Sequence, residues 1–163
     1  MKPLVVVSMV LTLTACGFHL RTSSAEVEGT VFVQIQSGTE DFARAMERAL
    51  EATAVSRARD GTAADWILHL QEIREQRRTL SVTENIRALE YQLSTEVRFR
   101  ILDASARERV PTSRVRAERV YVLDRGNLLG DAEEEAVLRR EMQSELVTRI
   151  LRVLEITTRG SSA

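Results

Sequence analysis

Three side chains in this sequence are of the kind from which catalysis or metal binding is built. They are Cys16, the only cysteine, and the two histidines, His19 and His69. A cysteine beside a histidine can make a thiolate nucleophile or part of a zinc site. Cys16 and His19 stand close together in Leu-Thr-Ala-Cys-Gly-Phe-His-Leu-Arg, Leu13 to Arg21, whereas His69 is alone in an alternating apolar segment. Zinc needs three or four ligands brought together, and two distant histidines with no spare cysteine do not supply them. The chain has no CxxC, HExxH, GxSxG or P-loop pattern. Glu133-Glu134-Glu135 has the charge for a metal, but a helix N-terminus, where the dipole favours acids, accounts for it. The expectation is a protein that is not an enzyme and uses no cofactor or metal. A hydrolase assembled from scattered Ser, Asp and Glu is the weakest alternative.

Cys16 has a different chemistry available. Lys2 gives a positive start, Leu4 to Leu13 is almost wholly apolar, and small residues precede the cysteine. An apolar run of about ten residues is too short to span a bilayer, which needs roughly 20, and suits the core of a secretory signal. Leu13-Thr14-Ala15-Cys16 resembles a bacterial lipobox. That resemblance implies cleavage between Ala15 and Cys16, a diacylglyceryl thioether on the Cys16 sulfur and an acyl chain on the new amino group. One acyl chain holds a protein only marginally, and three make a lasting anchor. Gly17 stands where an aspartate would favour retention in the inner membrane, so export to the outer membrane is expected. A secreted chain with a stray cysteine, or an uncut N-terminal anchor, are the alternatives.

The rest must be one domain. At 163 residues, 44% hydrophobic and 29% charged, the chain is long enough for a single real core. Its formal charge of −1 lacks the basic excess of a nucleic-acid binder. Lys2 is the only lysine, so every other cation is an arginine able to grip anions with a planar fork.

Residues 16–29 read as the lipidated end and a tether, 30–156 as the folded domain, and 157–163 as a disordered tail. Thr30 to Gln36 is rich in β-formers. Ser37-Gly38-Thr39 makes a turn and offers a cap for a helix over 40–55, whose Phe42, Met46, Ala49 and Leu50 share one face. Residues 56–62 read as a polar loop. Strands follow at 65–73, at 90–102 and at 113–124, with a polar stretch at 74–88 that could extend a hairpin around a loop near Glu84-Asn85, and a charged turn at 104–111. In Glu90 to Leu102, Tyr91, Leu93, Thr95, Val97, Phe99 and Ile101 point one way and polar residues the other, the pattern of a sheet with one wet face. A long helix over 130–155 carries Leu138, Met142, Leu146, Ile150 and Leu154 on one row. The order predicts an α+β fold: a two-layer sandwich of a four-stranded mixed sheet with two helices packed on one face. Arg98, Arg100, Arg114 and Arg116 fall on the wet face, and Arg119 has the parity of the apolar one. These arginines could bind an anion or pair with cross-strand acids.

Several blocks together resemble the LptE family of lipopolysaccharide-assembly lipoproteins. They are Cys16-Gly17-Phe18-His19-Leu20-Arg21, Glu90-Tyr91-Gln92-Leu93 with its long strand, Arg119-Val120-Tyr121, and the helix from Glu133 to Leu154. The resemblance implies a two-helix, four-stranded body that plugs the LptD β-barrel, assists its assembly, and with it exports lipopolysaccharide to the outer leaflet. It implies a one-to-one complex, lipid-anchored on the periplasmic side of the outer membrane. It also implies lipopolysaccharide contact from the loop before Glu90 and the loop before the last helix, where this chain offers Arg87 and Arg125. Glu84 and Gly130-Asp131 stand where basic residues would be expected. The alternative function is an outer-membrane lipoprotein that binds another periplasmic or cell-wall ligand.

Overall fold

The structure is a computed structural model and describes residues 27, 29–53, 55–82, 88–124 and 128–160. The chain forms β1 (Thr30–Ile35), α1 (Glu40–Ala52), β2 (Ser56–Arg57), a short 3-10 turn (Gly61–Ala63), β3 (Trp66–Val82), β4 (Ala88–Asp103), β5 (Glu108–Asp124) and α2 (Leu128–Arg159). The strands make one mixed sheet in the order β2-β1-β3-β4-β5. β1 runs parallel to β2 and β3, and the β3-β4-β5 meander is antiparallel.

The sheet therefore has five strands and not the expected four. The fifth is the two-residue β2, in which Ser56 and Arg57 pair with Thr30 and Val31. So short a strand has no periodicity to read, and its formation depends on the β1 edge beside it. The expected tail is also corrected at its start, because α2 runs on to Arg159. Thr158 is 1% exposed and continues the row Met142, Leu146, Ile150, Leu154 at four-residue spacing. Packing on that row outweighs the modest helix propensity of Thr157 and Thr158. At the other end of the domain, Val27, expected in the tether, is buried in the core.

Alternation on the strands decides which face is covered. Leu68, Leu70, Leu93, Val97, Phe99 and Ile101 are essentially inaccessible and share one cluster with Phe42, Met46 and Leu50 of α1 and Met142, Leu146, Ile150 and Leu154 of α2. Alternate residues such as Arg98, Arg114 and Arg116 are exposed. Burial of each such aliphatic side chain stabilises the fold by about 1.5–3 kcal/mol relative to exposure.

β3 changes phase part-way. Leu70 pairs with Phe99 and Glu72 with Arg98, leaving Gln71 as an extra residue in a β-bulge. Trp66, Leu68 and Leu70 face the helices before it; Ile73, Glu75 and Arg77, opposite Val97, Thr95 and Leu93, face them after it. The polar stretch from Arg74 thus continues the strand as far as Val82 and extends the β3–β4 hairpin, the reading its sequence offered. β5 likewise starts earlier than expected, at Glu108. Pro111 lies where the register skips, and β5 is an edge strand, so the missing N–H costs no ladder bond.

Two local devices fix the ends. Gly38 has φ +88° in the turn before α1, and the Thr39 hydroxyl donates to the Gln36 carbonyl at 2.6 Å. Asp65 accepts from the Thr30 N–H at 2.8 Å and returns its own N–H to the Thr30 hydroxyl at 3.0 Å, clamping the starts of β1 and β3 together. Gly29, at φ +92°, lets the chain pass: a Cβ there would lie 2.9 Å from the Asp65 carboxylate.

Candidate functional site

The register gives the molecule two distinct ends. At one, Trp66 of β3 pairs with Asp103 of β4 and Val31 of β1 with Trp66, so the chain enters the domain there through Val27 and Gly29. At the other, Leu89 of β4 pairs with Val82 of β3, and Ala88 with Asp124 of β5. β4 has 16 residues, so these ends are about 50 Å apart. Arg87 and Arg125 lie outside the described residues, as do Ala15, Cys16 and His19. Arg87 directly precedes Ala88 and Arg125 directly follows Asp124, and those two residues are register partners. The topology thus brings Ala88 and Asp124, the described residues that adjoin the two candidate segments in sequence, to the same end of the sheet.

A polar cluster between the sheet and the first half of α2 backs that end. The Tyr121 hydroxyl donates to the Glu135 carboxylate at 2.5 Å, Arg77 donates to it at 3.1 Å, and Arg139 at 2.7 Å. Arg139 also reaches Glu75 at 2.6 Å. The Arg77 guanidinium lies 5.0 Å from the centre of the Tyr91 ring, which stacks on Tyr121 at 5.7 Å. Burial alone would raise the Glu135 carboxyl, but the hydrogen bonds from Tyr121, Arg139 and Arg77 outweigh it and hold its pKa at about 2. Burial, together with the bond to that carboxylate, pushes the Tyr121 phenol up to about 12. The cluster is therefore locked in one charge state near neutral pH and acts as a fastener, not as a proton carrier.

Glu135 was legible only as one of three acids near a helix start. In the structure α2 begins at Leu128, so Glu135 lies in its second turn and is engaged by side chains of β3 and β5 rather than by the dipole. Glu75 and Arg77 were missed as helix-facing residues because the Gln71 bulge shifts their parity. The Glu135–Arg139 spacing of four was the available signal.

On the open face, Glu72 and Arg98 are register partners and bond at 3.2 Å, the expected cross-strand pairing. Arg119 is on the helix side, as its parity predicts, and bonds Glu145 of α2 at 2.7 Å. His69 is part-buried, and its Nδ1 accepts from the Arg100 Nε at 3.1 Å. Burial, then the Arg100 charge, hold His69 below the usual histidine range. Among the described residues, no group of three or more His, Cys, Asp or Glu could hold a metal ion, and no helix is long and apolar enough to cross a membrane.

A family model described as LptE, lipopolysaccharide-assembly, matches residues 29–154. The LPS-assembly lipoprotein LptE of Photorhabdus laumondii is 28% identical over 149 residues, which cover 89% of this chain and 80% of that protein. The solution structure of an uncharacterized lipoprotein B from Nitrosomonas europaea matches with a TM-score of 0.74 at 25% identity, covering 90% of this chain and 94% of that one. Rare lipoprotein B from Shewanella oneidensis matches with a TM-score of 0.69 at 21% identity, over 82% and 99% of the two chains, and shares the fold.

Proposed function

Because this chain belongs to the LptE family, lipopolysaccharide-assembly, we propose that it is a lipid-anchored outer-membrane protein that plugs an LptD-type β-barrel. In one-to-one complex with that barrel it assists barrel assembly and passes lipopolysaccharide to the outer leaflet. Cys16, freed by cleavage after Ala15, carries the lipid. The observation that supports this reading best is the separation of the two ends. Thr30 and Trp66, which open β1 and β3 on the Cys16 side of the sequence, lie at one end of the sheet, and Ala88 and Asp124, which adjoin Arg87 and Arg125 in sequence, lie at the other, about 50 Å away. A hydrocarbon layer is about 30 Å thick, so a body anchored at its near edge and enclosed by a barrel reaches across it. The open face of the sheet suits such surroundings, since barrel interiors are polar. The role needs no catalytic group. Arg87 and Arg125 are the proposed lipopolysaccharide contacts, where paired guanidinium donors fit phosphate.

Purification of the tagged, full-length protein from outer membranes in mild detergent tests the reading. The expected result is a stoichiometric complex with a large β-barrel, lost with Cys16→Ala from the membrane fraction. Recovery as a free monomer, or capture by peptidoglycan without any barrel, overturns it.

A further inference from the structure

The open face of the sheet carries an arginine that the other described residues leave unused. Arg114 of β5 is exposed and stands directly opposite Arg98 in the β4–β5 register. Like charges facing across a strand pair cost energy. Arg98 is relieved by Glu72. Arg114 has no hydrogen-bond or ion-pair partner among the described residues. Two residues along β4, Glu96 is flanked in register by Arg74 and Arg116. Arg74, Gln76, Ser94, Glu96, Arg114 and Arg116 line one shallow depression with about 190 Å³ of open space.

The chemistry of that lining is specific. Three guanidinium groups face one carboxylate, and Ser94 and Gln76 add neutral donors. Arg74 and Arg116 already touch Glu72 at 2.7 Å and Glu118 at 2.5 Å. Exposed pairs of that kind contribute less than about 1 kcal/mol, and each occupies only part of a five-donor fork. Donors are therefore in excess and positive charge outweighs negative within the depression. A single carboxylate would satisfy one fork. Several forks lining one depression beside a hydroxyl fit a doubly charged tetrahedral oxyanion.

We propose that this depression binds a phosphate group, with Arg114 as the central ligand and Arg74 and Arg116 at its flanks. A phosphate carried on a sugar or lipid and free phosphate share this chemistry. The site is separate from the sheet end marked by Ala88 and Asp124: Arg114 lies ten residues along β5 from Asp124, or about 33 Å. It also stands independently of the barrel-plug reading.

The test is calorimetric titration of the full chain in mild detergent at low ionic strength with pyrophosphate, inorganic phosphate, glucose 1-phosphate and a polyglutamate peptide. Saturable pyrophosphate binding is expected, weakened at least tenfold by Arg114→Ala and unchanged by Arg152→Ala on the exposed side of α2. Thermal melts check that both variants fold. Tighter binding of glucose 1-phosphate than of inorganic phosphate supports a phosphosugar source, and equal binding supports free phosphate. Absence of saturable binding, or equal binding by the two variants, overturns the site. Binding of the peptide alone overturns it in favour of an acidic protein surface. Barrel co-purification by Arg114→Ala separates failure of this site from failure of the plug reading.

Discussion

The Tyr121 hydroxyl of β5 and the Arg77 guanidinium of β3 meet on one oxygen of Glu135, at 2.5 Å and 3.1 Å. A single carboxylate on α2 therefore joins two strands that are not neighbours in the sheet. Tyr121→Phe removes the hydroxyl and leaves both arginines in place. The expected cost is about 1.5–3 kcal/mol, the range for one hydrogen bond to a charged group. Urea denaturation of the two proteins checks it; equal midpoints would show that the bond contributes nothing.

Acid should loosen the same contact. The Glu135 carboxyl has its pKa held at about 2, against an ordinary value of 4.5. A carboxyl lowered by folding contributes stability that is complete above its unfolded value and is lost as pH falls through its folded one. Its contribution is therefore full above about pH 4.5 and disappears toward pH 2. Glu135→Gln should be less stable than the parent at pH 7 and should lose less stability between pH 4.5 and pH 2. Parallel pH profiles for the two proteins would count against the assignment. Asp60, Asp65 and Glu72 are also held low, by hydrogen bonds from Thr62, Thr30 and Arg74 respectively, so part of the acid slope remains in the variant.

The fold was legible where one pattern ran unbroken and hidden where a distant partner set the geometry. On β4 the alternation names Leu93, Thr95, Val97, Phe99 and Ile101, and all five are buried, although Ser94 and Leu102 of the other face are buried too. Arg119 was assigned to the helix side by parity alone, and Glu145 receives it there. Glu75 and Arg77 carry no apolar signal; their partners, Arg139 and Glu135, come from α2 about 60 residues later. β2 exists because β1 offers an edge, which two residues cannot advertise. Of the candidate site, the sequence offered Arg87 and Arg125, which lie outside the described residues. That Ala88 and Asp124, their sequence neighbours, are register partners is a long-range fact no local pattern contains.

The histidine offers a spectroscopic check. Burial, and secondarily the Arg100 charge, hold His69 below 6.5, and its Nδ1 accepts from Arg100. The neutral ring is the one the fold favours, so its contribution is present above pH 6.5 and fades as pH falls through the lower folded value. An NMR titration should give a midpoint below 6.5. Arg100→Gln should raise that midpoint only part of the way, because burial remains. A midpoint at or above 6.5 in the parent would contradict the geometry.

The bulge at Gln71 permits a sharper test of what orders β3. Gln71 has no register partner, and the residues either side of it already pair with Phe99 and Arg98, which are consecutive. Deleting Gln71 closes the ladder and leaves Ile73, Glu75 and Arg77 facing the helices. Deleting Arg74 does the opposite. It moves Glu75 and Arg77 to the open face, breaks the contacts to Arg139 and Glu135, and turns Gln76 and Arg78 to the helix side, opposite Thr95 and Leu93. A one-residue slip of this kind moves a whole side-chain set to the wrong face. The Gln71 deletion should keep a cooperative transition within about 2–4 °C of the parent, a change worth about 1 kcal/mol in a chain of this size. The Arg74 deletion should melt far earlier or without cooperativity. Thermal melts by circular dichroism separate the two, and equal damage from both deletions would mean that the bend at the bulge, not the facing of the side chains, holds β3 in place.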